Sequence, residues 1–240
     1  MKITKKEMKV FKNIVDEYIN ITEIPKPNNW KKLDNNMLWL KIVGQINVIG
    51  GVKGNDRFLQ RNDLLDIINY EKLKGKKTDD EIAKDINYVL REAGIRYSSS
   101  NIEKCSKTKS LLYNLKVISS YQNAMIEILQ NLSKIKGEGA ELERSMFFIR
   151  NFKFIKNKSA RDLLMTLGMN RNTLALDIRI QNIFKKFSIE FPDQAGLNNW
   201  KIYTETESEI IEKICVPLEI EPIVFDRILF QNYDRILNKN

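Results

Sequence analysis

The sequence predicts an all-α fold, and three features of the chain support this prediction. Apolar residues recur at the three- and four-residue spacing of a helix face along most of the 240 residues. Two Thr-x-x-Glu sequences, at Thr78 and Thr206, match the capping box of a helix start. No segment shows the alternation of apolar and polar residues between tight turns that is typical of β-hairpins.

The first half of the chain predicts three helices in order. The first ends before Pro25, and its apolar face consists of Met8, Phe11, Ile14, Val15 and Tyr18. The second covers about residues 34–48, is apolar enough to be central, and ends at the glycines of residues 50–54. The third begins at Thr78 and ends at Gly94, because glycine favours the left-handed conformation that terminates helices.

The second half predicts six more helices. Their apolar faces fall at 111–118, 125–135, 160–167, 180–187, 210–215 and 225–236. Gly137 and Gly168 are expected to end the second and third of these, and Asp177 to cap the start of the fourth. Thr206 is expected to begin the fifth and Pro217 to end it.

Composition excludes several kinds of chemistry. The chain has no His, so triads and zinc sites that need histidine cannot form. Cys105 and Cys215 are the only cysteines and lie far apart, so neither a four-cysteine cluster nor a Cys-x-x-Cys site can form. We expect both to be buried, reduced thiols. A net charge of +9 favours a polyanionic partner.

The sequence also bears on location. The amino terminus lacks the apolar stretch of a signal peptide, and no run of apolar residues approaches the ~20 that span a membrane. We therefore expect a cytoplasmic protein with no membrane partner.

Two helix starts place an amine and a carboxylate where they could react. Lys158 falls at the amino terminus of the helix that ends at Gly168. At an amino terminus the helix dipole disfavours the charged form of a lysine. Asp177 directly precedes the next helix. A neutral amine can attack a sugar carbon and form a Schiff base, while a carboxylate stabilises the developing positive charge. Taken alone, the residues favour the simpler interpretation, in which Lys158 is a solvated lysine and Asp177 is only a helix cap.

The stretch containing Phe154-Ile-Lys-Asn-Lys158-Ser-Ala and Ala175-Leu-Asp177-Ile-Arg resembles the signature of the helix-hairpin-helix DNA glycosylases. In that family a hairpin ends in a lysine, and an apolar helix and an aspartate element follow. The 19 residues that separate Lys158 from Asp177 are similar to the spacing in the 8-oxoguanine DNA glycosylase/lyase branch. Residues 140–190 carry the match, and the segment Gly44-Gln45-Ile-Asn47 is more loosely similar to the family's segment beside the lesion pocket.

The resemblance implies a role for each matching residue. Lys158 would be the Schiff-base nucleophile, and Asp177 the catalytic carboxylate. Contacts to DNA or to the extruded base would come from Gln45, Asn47, Lys153, Lys156, Asn157, Arg179 and Phe225. The base would be flipped into a pocket between two helical subdomains, and neither a cofactor nor a metal would be needed.

The hairpin departs from the family pattern. Family hairpins contain Gly-(Ile/Val)-Gly, whose backbone amides approach a phosphate, whereas this chain has Phe154, Ile155 and Lys156 there. Asn157 tolerates a left-handed backbone, and the neighbouring lysines supply charge instead. Lys156 remains an alternative nucleophile, and only the spacing to Asp177 favours Lys158.

The resemblance also implies an architecture and an activity. We expect a single glycosylase-like unit over residues 1–240, with one subdomain at 34–136 and the other formed by 1–33 and 137–240. The expected activity is removal of 8-oxoguanine from double-stranded DNA followed by strand cleavage, carried out by a monomer associated with the nucleoid. A glycosylase for alkylated or deaminated bases and a non-catalytic helical DNA-binding protein are the alternatives.

Overall fold

The computed structural model describes residues 1–239, and within them it contains helices but no β-strand. This confirms the all-α prediction. In chain order the α-helices are α1 (Lys5–Tyr18), α2 (Asn35–Asn47), α3 (Lys53–Leu59), α4 (Asn62–Ile67), α5 (Tyr70–Lys74), α6 (Asp79–Glu92), α7 (Ser106–Ser119), α8 (Ala124–Ser133), α9 (Ala140–Asn151), α10 (Asn157–Thr166), α11 (Ile178–Lys186), α12 (Gln194–Asn198), α13 (Trp200–Ile210), α14 (Pro222–Gln231) and α15 (Tyr233–Asn238). A π-helical turn at Ile211–Cys215 follows α13.

The chain divides into two units. The first comprises residues 1–29, 141–145 and 156–240, and the second comprises 30–140 and 146–155. In the first unit, α1, α11, α13 and α14 share one apolar core. The ring of Phe11 lies at its centre, 5.2 Å from Phe184 and 5.6 Å from Phe225 between ring centres.

The second unit is built around α2. This helix buries Leu38, Trp39, Ile42, Val43 and Ile46 and packs against α7 and α8, while α6 packs against α7. The Trp39 indole N–H donates to the carbonyl of Ile68 at 2.9 Å, so this fully buried side chain has its polar atom paired. The prediction of a central helix at about 34–48 is confirmed.

Most of the expected helix boundaries are confirmed. Thr78 and Glu81 form a complete capping box at the start of α6, and Asp177 caps α11. Gly168 has a positive φ of 69° directly after the last turn of α10. Cys105 and Cys215 are both buried and free.

Two boundary predictions are wrong. Thr206 lies inside α13, which begins six residues earlier where the Asn199 side chain accepts the backbone N–H of Ile202. The Thr206 hydroxyl instead donates to the carbonyl of Ile202 one turn back, so a serine or threonine in the capping pattern can also sit within a helix. The last predicted helix is divided at Asn232 into α14 and α15.

Candidate active site

Lys158 lies in the first turn of α10, as the sequence predicts. Its amine Nζ is 3.2 Å from the carboxylate of Asp162, one turn along the same helix. The guanidinium of Arg227 on α14 lies 2.9 Å from the other oxygen of that carboxylate. The Lys158 side chain keeps 29% of its surface exposed, so the amine is held in place and remains open to a ligand.

Asp177 caps α11 with one of its two carboxylate oxygens. Its Oδ1 accepts the backbone N–H of Arg179 at 2.9 Å and that of Ile180 at 3.3 Å. Within residues 1–239, no hydrogen bond to Oδ2 accompanies these two. The capping prediction is therefore confirmed, and one oxygen remains for chemistry.

The aromatic ring of Phe230 lies near cationic side chains of both helices, Lys158 on α10 and Arg179 on α11. The Arg179 guanidinium lies 4.1 Å from the ring centre, a distance typical of a cation–π contact. The amine of Lys158 and the guanidinium of Arg227 each lie 5.8 Å from the same centre. Phe230 is partly exposed, so three cationic side chains surround an accessible aromatic ring in the first unit.

Phe225 is placed differently from its predicted role. It is 1% exposed, and its ring packs edge-on against Phe11 in the core of the first unit. A ring in that position cannot contact a nucleotide unless the core repacks. Phe230, five residues later on α14, is the aromatic residue of this helix that lies beside Lys158, and its helical offset from the buried face is the signal that distinguishes it from Phe225.

The hairpin between α9 and α10 contains a residue with a left-handed backbone conformation, but this residue is Phe154 and not Asn157. Phe154 has φ of 62°, at the position where the resembled family has its first glycine. Asn157 is the first residue of α10, and its side-chain amide donates to the carbonyl of Leu197 at 3.0 Å. The side chain of Asn157 therefore has a structural partner, and the strain falls on a bulky residue.

Two exposed lysines flank this turn. The backbone N–H of Lys156 donates to the hydroxyl of Ser159 at 2.8 Å, and the residue is exposed. Lys153 belongs to the second unit, where its backbone N–H donates to Asn114 at 2.7 Å and its amine lies 5.0 Å from the Tyr113 ring centre. Their contact with DNA stays a prediction.

Gln45 and Asn47 lie at the end of α2 in the second unit. Gln45 is partly exposed, whereas Asn47 is 1% exposed and its side-chain amide has no hydrogen bond among residues 1–239. The carbonyl of Asn47 accepts from the buried amine of Lys107, which also donates to Ile49 at 2.7 Å. Burial lowers the pKa of Lys107 to about 8.

In the described part of the chain, no three Cys, Asp or Glu side chains gather closely enough to hold a metal ion. No helix among residues 1–239 has the length and apolar character needed to cross a bilayer.

Comparison with known proteins gives a likeness in structure only. No protein-family model and no curated protein sequence matches the chain. The 8-oxoguanine DNA glycosylase of Thermotoga maritima superposes with a TM-score of 0.61 at 20% identity, covering 94% of this chain and 95% of the other. The 8-oxoguanine DNA glycosylase of Methanocaldococcus jannaschii gives 0.65 at 15% identity, covering 95% and 92%.

A third solved structure includes DNA. It is the M. jannaschii 8-oxoguanine glycosylase/lyase bound to a 15mer DNA containing 8-oxoguanine, which superposes with a TM-score of 0.62 at 15% identity and covers 97% of this chain and 98% of the other. The likeness extends over nearly the whole length in each case. The chain therefore has the helical fold of the 8-oxoguanine DNA glycosylases.

Proposed function

We propose that this protein is a DNA glycosylase that removes 8-oxoguanine and then cleaves the strand as a lyase. The observation that carries the proposal is the grouping of Lys158 and Arg179 around Phe230, with Arg179 in the helix turn that Asp177 caps, in a chain with this fold. An accessible amine, a carboxylate and an exposed aromatic ring are the groups that such a reaction uses.

In the proposed reaction Lys158 first loses a proton and its amine attacks C1′ of the sugar. The bond from C1′ to the base nitrogen breaks, and the base leaves with the bonding electrons and takes up a proton. Opening of the sugar ring gives a protonated Schiff base. Loss of a C2′ proton then expels the 3′ phosphate by β-elimination.

The surrounding residues support these steps. The Asp177 carboxylate would stabilise positive charge that develops on the sugar, through the oxygen that does not cap α11. Phe230 offers a face on which the extruded base could stack, and Arg179 supplies a cation for a nearby phosphate. Gln45, Lys153 and Lys156 remain proposed contacts to DNA, whereas Asn47 is as deeply buried as Phe225 and could reach a base only if its surroundings opened.

Borohydride trapping tests the proposal. The purified protein is incubated with a duplex that contains one 8-oxoguanine, beside undamaged and abasic duplexes, and the Schiff base is reduced to a stable adduct. We expect an adduct on the lesion strand that is absent with Lys158→Gln. Lys156→Gln decides between the two lysines, and Lys201→Gln, which alters an exposed lysine on α13, is the matched control.

The outcomes separate the candidate functions. An adduct that persists in Lys158→Gln assigns the nucleophile elsewhere. Base release without an adduct indicates a glycosylase that lacks lyase activity, and a panel of alkylated and deaminated bases would identify a different substrate. Binding without base release indicates a non-catalytic DNA-binding protein, a candidate that the absence of the hairpin glycines favours.

A further inference from the structure

We infer that Asp226 is the positioning residue for both proposed reacting groups. It accepts a hydrogen bond from the backbone that leads into Asp177, and its charge acts on Arg227, whose ion pair with Asp162 in turn orients the amine of Lys158. The inference rests on the proposed function, which supplies the roles of Lys158 and Asp177. The contacts themselves all lie within the first unit.

The first branch of contacts runs to the segment before Asp177. Residues 174–176 belong to neither helix nor strand, so their buried N–H groups need partners from other elements. Three side chains supply them in succession: Glu207 accepts from Leu174 at 2.8 Å, Asp226 from Ala175 at 2.7 Å, and the Tyr203 hydroxyl from Leu176 at 2.8 Å. The backbone is thereby fixed up to the catalytic carboxylate.

The second branch runs to the amine. Arg227 lies 3.8 Å from the second oxygen of Asp226 and 2.9 Å from Asp162, which in turn lies 3.2 Å from the amine of Lys158. Charges of opposite sign therefore alternate along four groups. Asp226 is 1% exposed and Arg227 6% exposed, so little solvent screens these interactions.

The charge of Asp226 is what both branches require. Burial raises the pKa of this carboxyl to about 6, and the nearby Asp162 acts in the same direction. Arg227, the N–H of Ala175 and Lys158 favour the ionised form. Tyr203 on α13 and Cys215 in the π-helical turn are the other titratable groups that face it, and burial raises the pKa of both.

A proton on Asp226 changes both branches together. The carboxyl then accepts a hydrogen bond from Ala175 less strongly, and Arg227 loses one of its two anionic partners. Lowering the pH through about 6 should therefore loosen the backbone of residues 174–176 and weaken the ion pairs that hold the Lys158 amine. A residue that only stabilised the fold would leave the pH profile of the folded enzyme unchanged.

The first experiment measures single-turnover release of 8-oxoguanine between pH 5 and pH 8. We expect the wild-type rate to fall about tenfold per pH unit below a midpoint near 6. Asp226→Asn should be at least about tenfold slower at pH 7.5 and should lack the acid limb with its midpoint near 6, whereas the loss of rate from protonation of the Lys158 amine is common to both proteins. Tyr203→Phe removes two neighbouring hydrogen bonds, from Leu176 and to Leu174, without removing the charge, and it should be slower with the acid limb retained.

The second experiment does not depend on activity. Amide hydrogen exchange at pH 7.5 should be faster at residues 174–176 in Asp226→Asn, while α1 keeps its protection. Arg227→Gln interrupts only the second branch, so it should slow adduct formation and leave the protection of 174–176 intact. It also provides a test if Asp226→Asn fails to fold.

The outcomes distinguish the inference from the proposed function. If the wild type releases no 8-oxoguanine but Asp226→Asn increases exchange at 174–176, the proposed function fails and the positioning of the segment stands. If the wild type is active and Asp226→Asn keeps its rate within twofold, its acid limb and its exchange pattern, the positioning inference is overturned.

Discussion

Asp177 has two tasks at the scale of a single residue, because the same carboxylate caps α11 and is proposed to take part in the reaction. The cap uses Oδ1 only. The two tasks can be separated by substitution, since asparagine caps a helix about as well as aspartate and carries no charge.

We expect Asp177→Asn to change the free energy of unfolding by less than about 0.5 kcal/mol and to lower base release by at least about 100-fold. Asp177→Ala removes both functions and should also cost about 1 kcal/mol of stability. Urea unfolding and single-turnover assays of the two variants provide the check. Equal activity of wild type and Asp177→Asn would assign Asp177 to the cap alone.

Lys107 shows a second residue-scale effect, in which a buried amine makes stability depend on pH. Its folded pKa of about 8 lies below the value of about 10.4 for an unfolded lysine, so the unfolded chain binds more protons between these values. Stability should therefore rise with pH over this window, by up to about 1.4 kcal/mol per pH unit.

Lys107→Met should lose this rise. We expect the stability difference between wild type and Lys107→Met to shift in favour of the wild type from pH 8 to pH 9.5, as measured by urea unfolding. Lys109→Met, which alters an exposed lysine on the same helix, should run parallel to the wild type. Parallel curves for Lys107→Met would show that the amine is not desolvated.

At the scale of an element, the end of α10 depends on a glycine for two reasons. Gly168 has φ of 69°, and a Cβ atom on it would lie 2.1 Å from the carbonyl oxygen of Lys26 and 2.9 Å from the backbone nitrogen of Asn28. That nitrogen donates a hydrogen bond to Gly168 at 2.8 Å. The close approach of two backbones thus fixes where the helix carrying Lys158 ends.

We expect Gly168→Ala to lower the free energy of unfolding by at least about 3 kcal/mol, from the left-handed backbone and the backbone collision together. Gly137→Ala is the control, because Gly137 also has a positive φ of 93° but open space around the added atom. It should cost about 1 kcal/mol. Equal losses for the two variants in urea unfolding would contradict the role of the close approach.

At the scale of the whole molecule, the net charge of +9 is the property that acts at a distance. Lysine and arginine that neutralise phosphates release counterions from DNA, so affinity falls as salt rises. The charge itself favours any polyanion, and DNA is the polyanion that the proposed function requires.

We expect the Kd for a 15-mer duplex to rise at least about 100-fold between 50 and 200 mM salt. This is the change expected when the protein neutralises on the order of four phosphates. Fluorescence anisotropy with a lesion duplex and an undamaged duplex measures this. The salt dependence should be nearly the same for both, because the phosphates are shared. A salt-independent Kd would show that the basic surface does not contact the DNA backbone.

The sequence by itself determined the helical class, several helix starts and ends, and the placement of Lys158 and Asp177 at two helix starts. These features depend on neighbours within one helical turn, as the Thr78 capping box and the Asp177 cap show. The Thr206 pattern failed because the same local signal occurs inside α13, where the earlier cap at Asn199 begins the helix.

Only the tertiary structure decided which residues surround that pair. Phe225 and Phe230 lie on one helix, and packing against Phe11 buries the first while the second remains beside Lys158. The sequence could not pair Asp226 with Ala175, since 51 positions separate them. Such contacts are set by how helices pack and not by local spacing, so the proposed reacting groups could be named from the sequence whereas the residues that support them could not.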